Sequence, residues 1–136
     1  MAAGKYNFII EQGATTDFAV NYTDSNNNPV NLTGYNARMQ LRPTKESTII
    51  YITLSSSLNS CYTGLNLSGS GGPIANQPPS SGSLGVFISA ASSSALDFNK
   101  AFYDLEIVSG SGDCAIVTRL LEGTVTLSKE VTKGAY

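Results

Sequence analysis

Residues 24–42 read DSNNNPVNLTGYNARMQLR, and the two halves of this stretch follow different rules. From Tyr35 the pattern alternates: Tyr35, Ala37, Met39 and Leu41 point one way, and Asn36, Arg38, Gln40 and Arg42 point the other. A period of two is the signature of a strand with one face buried, and Pro43 ends it because proline cannot donate to a sheet ladder. The first half, residues 24–35, is dense in turn formers and is either an ion-binding or glycan-bearing loop or the corner of a sheet. Asp24, Asn26 and Asn28 stand at the 1, 3, 5 spacing of a calcium loop, but positions 6 and 12, which need Gly and Glu, hold Pro29 and Tyr35. The glycosylation sequons at Asn21, Asn31 and Asn66 need an exported chain. The corner reading accounts for every residue. Asp24 and the Asn run tolerate left-handed backbone and cap amides, Pro29 fixes φ at the exit, Val30 and Leu32 enter the core, and Thr33-Gly34 turns into the Tyr35 strand.

Working outward, the same alternation recurs. Tyr6–Glu11 is rich in β-formers and stops at Gln12-Gly13, and Asp17–Tyr22 places Phe18, Val20 and Tyr22 on one face. Ile49–Leu54 is a β-branched run, Gly64–Ser68 a short strand, and Leu84–Ile88 a further one. Ser89–Phe98 is the one plausible helix, capped by Ser89, with Ala91, Ala95 and Leu96 near one face. Ala101–Val108 alternates with Tyr103, Leu105 and Ile107 inward and Asp104 and Glu106 outward. Residues 109–113, SGSGD, form a hairpin loop, because a strand follows where a phosphate cradle would have a helix. Ala115–Glu122 and Gly123–Glu130 complete about eight or nine short strands at about 8 to 15 residue intervals, the pattern of an antiparallel β-sandwich.

Length supports one domain over residues 1–136, with a long irregular loop near 69–82, GSGGPIANQPPSSG. Eight Lys and Arg against ten Asp and Glu give a formal charge of −2, so no basic field draws nucleic acid or an anionic membrane. No apolar run reaches the roughly 18 residues a membrane helix needs. The N-terminus MAAGKYNFII has no apolar stretch before a small-residue cleavage site, so synthesis in a cytoplasm without export is expected, and with it reduced Cys61 and Cys114. Charged residues make up 13% of the chain against about 25% in a typical soluble domain. A surface that relies on Ser, Thr, Asn and Gly suits a protein packed against copies or partners.

Histidine is absent, which removes His-based acid/base chemistry and the common nucleophile pairs and zinc sites. Asp104 and Glu106, two apart on one strand face, imitate a paired-carboxylate site; the more ordinary role is pairing with Arg38, Arg42 and Arg119 on neighbouring strands. No catalytic, cofactor-binding or metal-ligating set is expected. The candidates for partner contact are Arg38, Arg42 and Tyr62, together with Pro73, Ile74, Pro78 and Pro79 of the long loop and Tyr136 of the C-terminal tail.

Residues 9–43, IIEQGATTDFAVNYTDSNNNPVNLTGYNARMQLRP, followed by YDLEIV at 103–108 and VTRLLEGTVTLSKEVT at 117–132, resemble small virion structural proteins of tailed bacteriophages, including phages of cyanobacterial and marine hosts. They also look like the N-terminal immunoglobulin-like module of phage baseplate upper proteins, which carries the pattern G-D-T...D-x-x-G-x-P-x-x-L-T-G. The likeness covers nearly the whole chain, least at residues 55–82, and rests on turn and core positions. The chain departs from that module by ending at Tyr136 without a receptor-binding or coiled-coil continuation, which favours a small accessory subunit. The resemblance implies an immunoglobulin-like sandwich with no enzymatic role, present in many copies in the virion, with a homo-oligomer among the expected assemblies, and joining or reinforcing larger tail or baseplate proteins. Two alternatives accompany it: a capsid decoration protein clamping major capsid proteins, and a carbohydrate-binding module for host recognition.

Overall fold

The strand that follows the quoted corner is an interior strand of the larger sheet. In the computed structural model, which describes residues 4–59, 61–67, 82–110 and 112–132, β4 (Tyr35–Arg42) buries Ala37, Met39 and Leu41 and leaves Asn36 and Arg38 exposed. It pairs antiparallel with β5 (Ile52–Ser55) on one side and β8 (Lys100–Ser109) on the other. β8 in turn forms an antiparallel hairpin with β9 (Ile116–Ser128), turned by a 3-10 segment at Gly112–Cys114. Two short strands near the N-terminus, β1 (Gly4–Lys5) and β2 (Phe8–Glu11), both run parallel to β9, so the six-stranded sheet has the order β1/β2-β9-β8-β4-β5.

The second sheet has three strands in the order β3-β7-β6: β3 (Thr16–Asn21), β7 (Ser83–Ile88) and β6 (Gly64–Asn66), all antiparallel. Its Leu65, Leu84, Val86 and Ile88 meet Ile10, Met39, Leu41, Leu54, Leu105, Ile107 and Val125 of the larger sheet in one buried cluster. The molecule is therefore an all-β sandwich, with alternating side chains of two sheets forming the core between them. Tyr103 is buried, and its hydroxyl donates to the Tyr6 carbonyl at 2.7 Å, tying the N-terminal segment to β8. Burial, and then the neighbouring Tyr6, push its pKa up to about 12.

The corner at residues 22–34 is built as its composition dictates. Asp24 Oδ1 accepts from the amides of Asn26 at 2.8 Å and Asn28 at 3.0 Å, Asn27 takes φ 63°, and Thr23 bridges Pro29 across the turn. Leu32 is 1% exposed, Val30 packs against the core, and Gly34 at φ 83° sits in the turn that delivers Tyr35 to β4. The helix is shorter than expected. It spans Ala90–Ser94, with Ser89 as N-cap accepting from the Ser92 amide at 3.2 Å. Its buried residue is Ser93; Ala91 and Ala95 are exposed, although Leu96 beyond the helix is buried as expected. Ser93 suits that place because Oγ donates to the Ala14 carbonyl at 2.7 Å and accepts from the Gly13 amide at 3.1 Å, stitching the helix to the β2–β3 turn.

Three expectations about strand extent need correction. The run at Ile49–Leu54 contributes only from Ile52, and Ile49 and Ile50 are exposed. Ala115–Glu122 and Gly123–Glu130 are one continuous strand rather than two. Tyr6–Glu11 begins its ladder at Phe8, with Tyr6 and Asn7 forming a crossing between β1 and β2. Cys61 and Cys114 are free and exposed. The expected loop at 69–82, with Pro73, Ile74, Pro78 and Pro79, lies outside the described residues except for Gly82, as does Tyr136.

Candidate interaction face

The outward residues of β4, β8 and β9 are where the charge of this sparsely charged chain collects. Register fixes the arrangement. Arg38 lies opposite Glu106, which lies opposite Arg119; one row along, Gln40 lies opposite Asp104, Asp104 opposite Glu122, and Glu122 opposite Lys5. Opposite charges directly across strands attract, whereas the Asp104 and Glu122 pair would repel without a cation between them. Arg119 supplies it: Nε lies 3.5 Å from Asp104 Oδ2, and Nη1 lies 3.5 Å from Glu122 Oε2. Arg38 Nε donates to Glu106 Oε1 at 2.7 Å, and Lys5 Nζ lies 3.8 Å from Glu122.

A concavity of about 560 Å³ opens on this face, floored by Gln40, Phe102 and Asp104 and walled by residues 44–48 of the β4–β5 connection. Arg42 holds that wall. Its Nη1 donates to the Ser47 carbonyl at 2.5 Å and its Nη2 to Gln40 Oε1 at 2.7 Å. Arg42 therefore positions a loop and has no acidic partner among the described residues, contrary to the expected pairing with Asp104 or Glu106. Lys100 Nζ sits 5.9 Å from the centre of the Phe102 ring, a weak cation–π contact at the margin of the same face.

Burial first, and then the Glu106 carboxylate, raise the Asp104 pKa above its ordinary 3.8, with Arg119 pulling it back. The folded state thus holds this proton more tightly than the unfolded chain does. That contribution to stability is complete below the unfolded value and is lost as pH rises through the folded one. Asp104→Asn is accordingly expected to raise Tm slightly at neutral pH and to leave it unchanged at a pH below 3.8, where Asp104 is already protonated. Thermal melts at the two pH values check this; equal shifts at both would assign the effect to packing rather than charge.

Of the residues that sequence reasoning put forward for contact, Arg38 lies on this face and Arg42 at its wall, whereas Tyr62 does not belong to it. Tyr62 precedes β6 of the smaller sheet, 40% exposed and at φ 67°, in a turn whose amides at Cys61 and Thr63 donate to Asn59 Oδ1. Gln40, Phe102, Glu122 and Lys5 were missed as members of the face. The signal for them is the strand register, which the alternation of each strand leaves open. The pairing of Asp104 and Glu106 with arginines holds for Arg38 and Arg119.

No protein-family model matches this chain, and no curated protein matches it in sequence. What fold and face define is an all-β sandwich that presents a charge-paired sheet surface on one side.

Proposed function

We propose that this chain is an immunoglobulin-like structural subunit of a tailed-phage particle, an accessory module without enzymatic activity that joins or reinforces larger tail or baseplate proteins. The strand order supports the immunoglobulin-like part. β3-β7-β6 occupy the places of strands B, E and D, and β9-β8-β4-β5 those of G, F, C and the C′ strand that variable-type domains add. The disulfide and tryptophan of antibody domains have no counterpart, since Cys61 and Cys114 are free and Trp is absent. Apolar packing carries the core instead.

The observation that carries the functional reading is the state of the charged face. Its ionisable groups neutralise one another across the strands of a rigid sheet, Arg38 with Glu106 and Arg119 with both Asp104 and Glu122. Each carboxylate of the face has a cationic partner within 4.0 Å, Glu106 in Arg38, Asp104 in Arg119, and Glu122 in Arg119 and Lys5. A sheet of alternating charges is suited to docking on a polar protein surface, where each exposed pair contributes up to about 1 kcal/mol and mainly fixes orientation. The resemblance of residues 9–43 and 103–132 to phage virion proteins supplies the setting. The test is electron microscopy of purified phage particles decorated with a gold-labelled antibody against this protein. Label at the distal tail is the expected result. Label over the head would transfer the chain to capsid decoration, and unlabelled particles from cells that contain the protein would overturn a virion role.

A further inference from the structure

Open sheet edges invite pairing with other chains, and proteins usually blunt them with short strands, prolines, lysines or bulges. Among the described residues this sandwich has four such edges. β5 and β2 are four residues long and β6 only three. β3 is six residues, TDFAVN, without Pro, Lys or Gly, and pairs only with β7. Among the described residues it is the longest of the four edges, and its one charge is the exposed Asp17.

The direction of its backbone groups follows from the neighbouring ladder. The Tyr22 amide donates to the Gly82 carbonyl at 2.8 Å, continuing the β3–β7 register one step. In an antiparallel pair, hydrogen-bonded and non-hydrogen-bonded positions alternate. Thr16, Phe18 and Val20 thus bond inward to β7, and Asp17, Ala19 and Asn21 turn their N–H and C=O groups to the open side. The side chains of these last three are exposed, while Phe18 and Val20 are half-buried against the core.

We propose that the β3 edge pairs with the β3 edge of a second copy of this chain, antiparallel about a two-fold axis through Ala19, joining the two three-stranded sheets into one. Self-complementarity singles out a second copy. With Ala19 opposite Ala19, Asp17 falls opposite Asn21 of the other copy, and each of these pairs can exchange both of its N–H···O bonds. The one charged side chain, Asp17, meets a carboxamide that can donate to it, and the two Asp17 carboxylates stay apart. On the core side Phe18 falls opposite Val20, an aromatic and β-branched pairing of the favourable kind. Beneath that edge a cleft of about 500 Å³ between β2 and β3 is walled by Tyr6, Phe8 and Phe18, whose rings pack with centroids 5.0 to 6.0 Å apart. Tyr6 is 45% exposed there, an apolar surface that an added strand would cover. The inference is independent of any virion role.

Ala19→Pro tests it, because a proline at that position removes only the open-side donor on the axis and leaves the β7 ladder intact. Sedimentation velocity over a concentration series is expected to show a monomer–dimer equilibrium for the wild type and monomer throughout for Ala19→Pro, with unchanged circular dichroism. Ala19→Lys, which sets two like charges face to face, is expected to give the same loss and serves if the proline variant fails to fold. A wild type that stays monomeric at every concentration overturns the proposal, including the case in which a strand of a different protein binds the edge. A dimer that persists undiminished in a folded Ala19→Pro or Ala19→Lys variant overturns it equally.

Discussion

Leu105→Ala is expected to cost about 2–5 kcal/mol of stability, a large share of the roughly 5–15 kcal/mol by which a domain of this kind is folded. Leu105 is fully buried at the middle of β8, the strand with long ladders on both sides, and lies between Met39 of β4 and Leu121 of β9. Truncating it removes the transfer free energy of the lost methyl groups and leaves a cavity that three strands fixed by hydrogen bonds cannot collapse to fill. Arg38→Ala provides the contrast, because Arg38 stands on the opposite face of the same sheet, and breaking its exposed pair with Glu106 is worth no more than about 1 kcal/mol. Chemical denaturation of the two variants at unchanged slope measures the difference. A Leu105→Ala midpoint no lower than that of Arg38→Ala would mean that the inward face of β8 has been assigned to the wrong side.

How far the sequence could be read depends on how local the deciding interactions are. β4 and the first part of β8 were legible because nothing interrupts their alternation, and each inward residue is buried apart from the half-buried Tyr35 at the start of β4. The corner was legible because Asp24 and Asn31 act on amides two to four residues away. Within the run of turn formers Asn27 takes φ 63°, the left-handed conformation that Asn tolerates better than most residues with a Cβ. Ile49 and Ile50 misled because β-branched residues indicate suitability for a strand but not the presence of a partner. β4 ends at Arg42, Tyr51 donates to the Leu41 carbonyl, and the next position on the partner side is Pro43, which has no N–H to offer. The charged face was half legible for the same reason. Asp104 and Glu106 plainly needed cations, but which arginine reaches which acid follows from a register set across as many as 68 residues of chain. Arg42, equally plausible by type, is drawn instead to a carbonyl five residues along its own loop.

The break expected at Gly123 has a physical origin that also yields the second large effect. β9 carries a bulge, since Leu105 pairs with Leu121 but Glu106 with Arg119, leaving Leu120 as the extra residue. The bulge shifts the side-chain alternation midway, so a continuous strand reads as two, divided between Glu122 and Gly123. Gly123 is in fact the point where the N-terminal segment crosses from β1 to β2. A Cβ there would lie 2.2 Å from the Tyr6 carbonyl oxygen and 2.8 Å from Asn7 Oδ1. The crossing is held by Tyr6 N–H to the Glu122 carbonyl at 3.0 Å, Thr124 N–H to Asn7 Oδ1 at 3.0 Å and the Tyr103 hydroxyl on the Tyr6 carbonyl. Gly123→Ala is therefore expected to lift this segment off β9 at a cost of about 3 kcal/mol, the upper part of the range for overpacking, since the obstacle is backbone and not a side chain that can swing aside. The loss should begin in this segment, because β4 with β8 and β3 with β7 keep their own ladders, although Phe8 also packs on Phe18 of β3 and Tyr103 of β8. Hydrogen exchange checks this directly. The amides of residues 6–11 are expected to lose protection well before those of β8, and uniform loss along both segments would show that the N-terminal strands and the rest of the sandwich open as one unit.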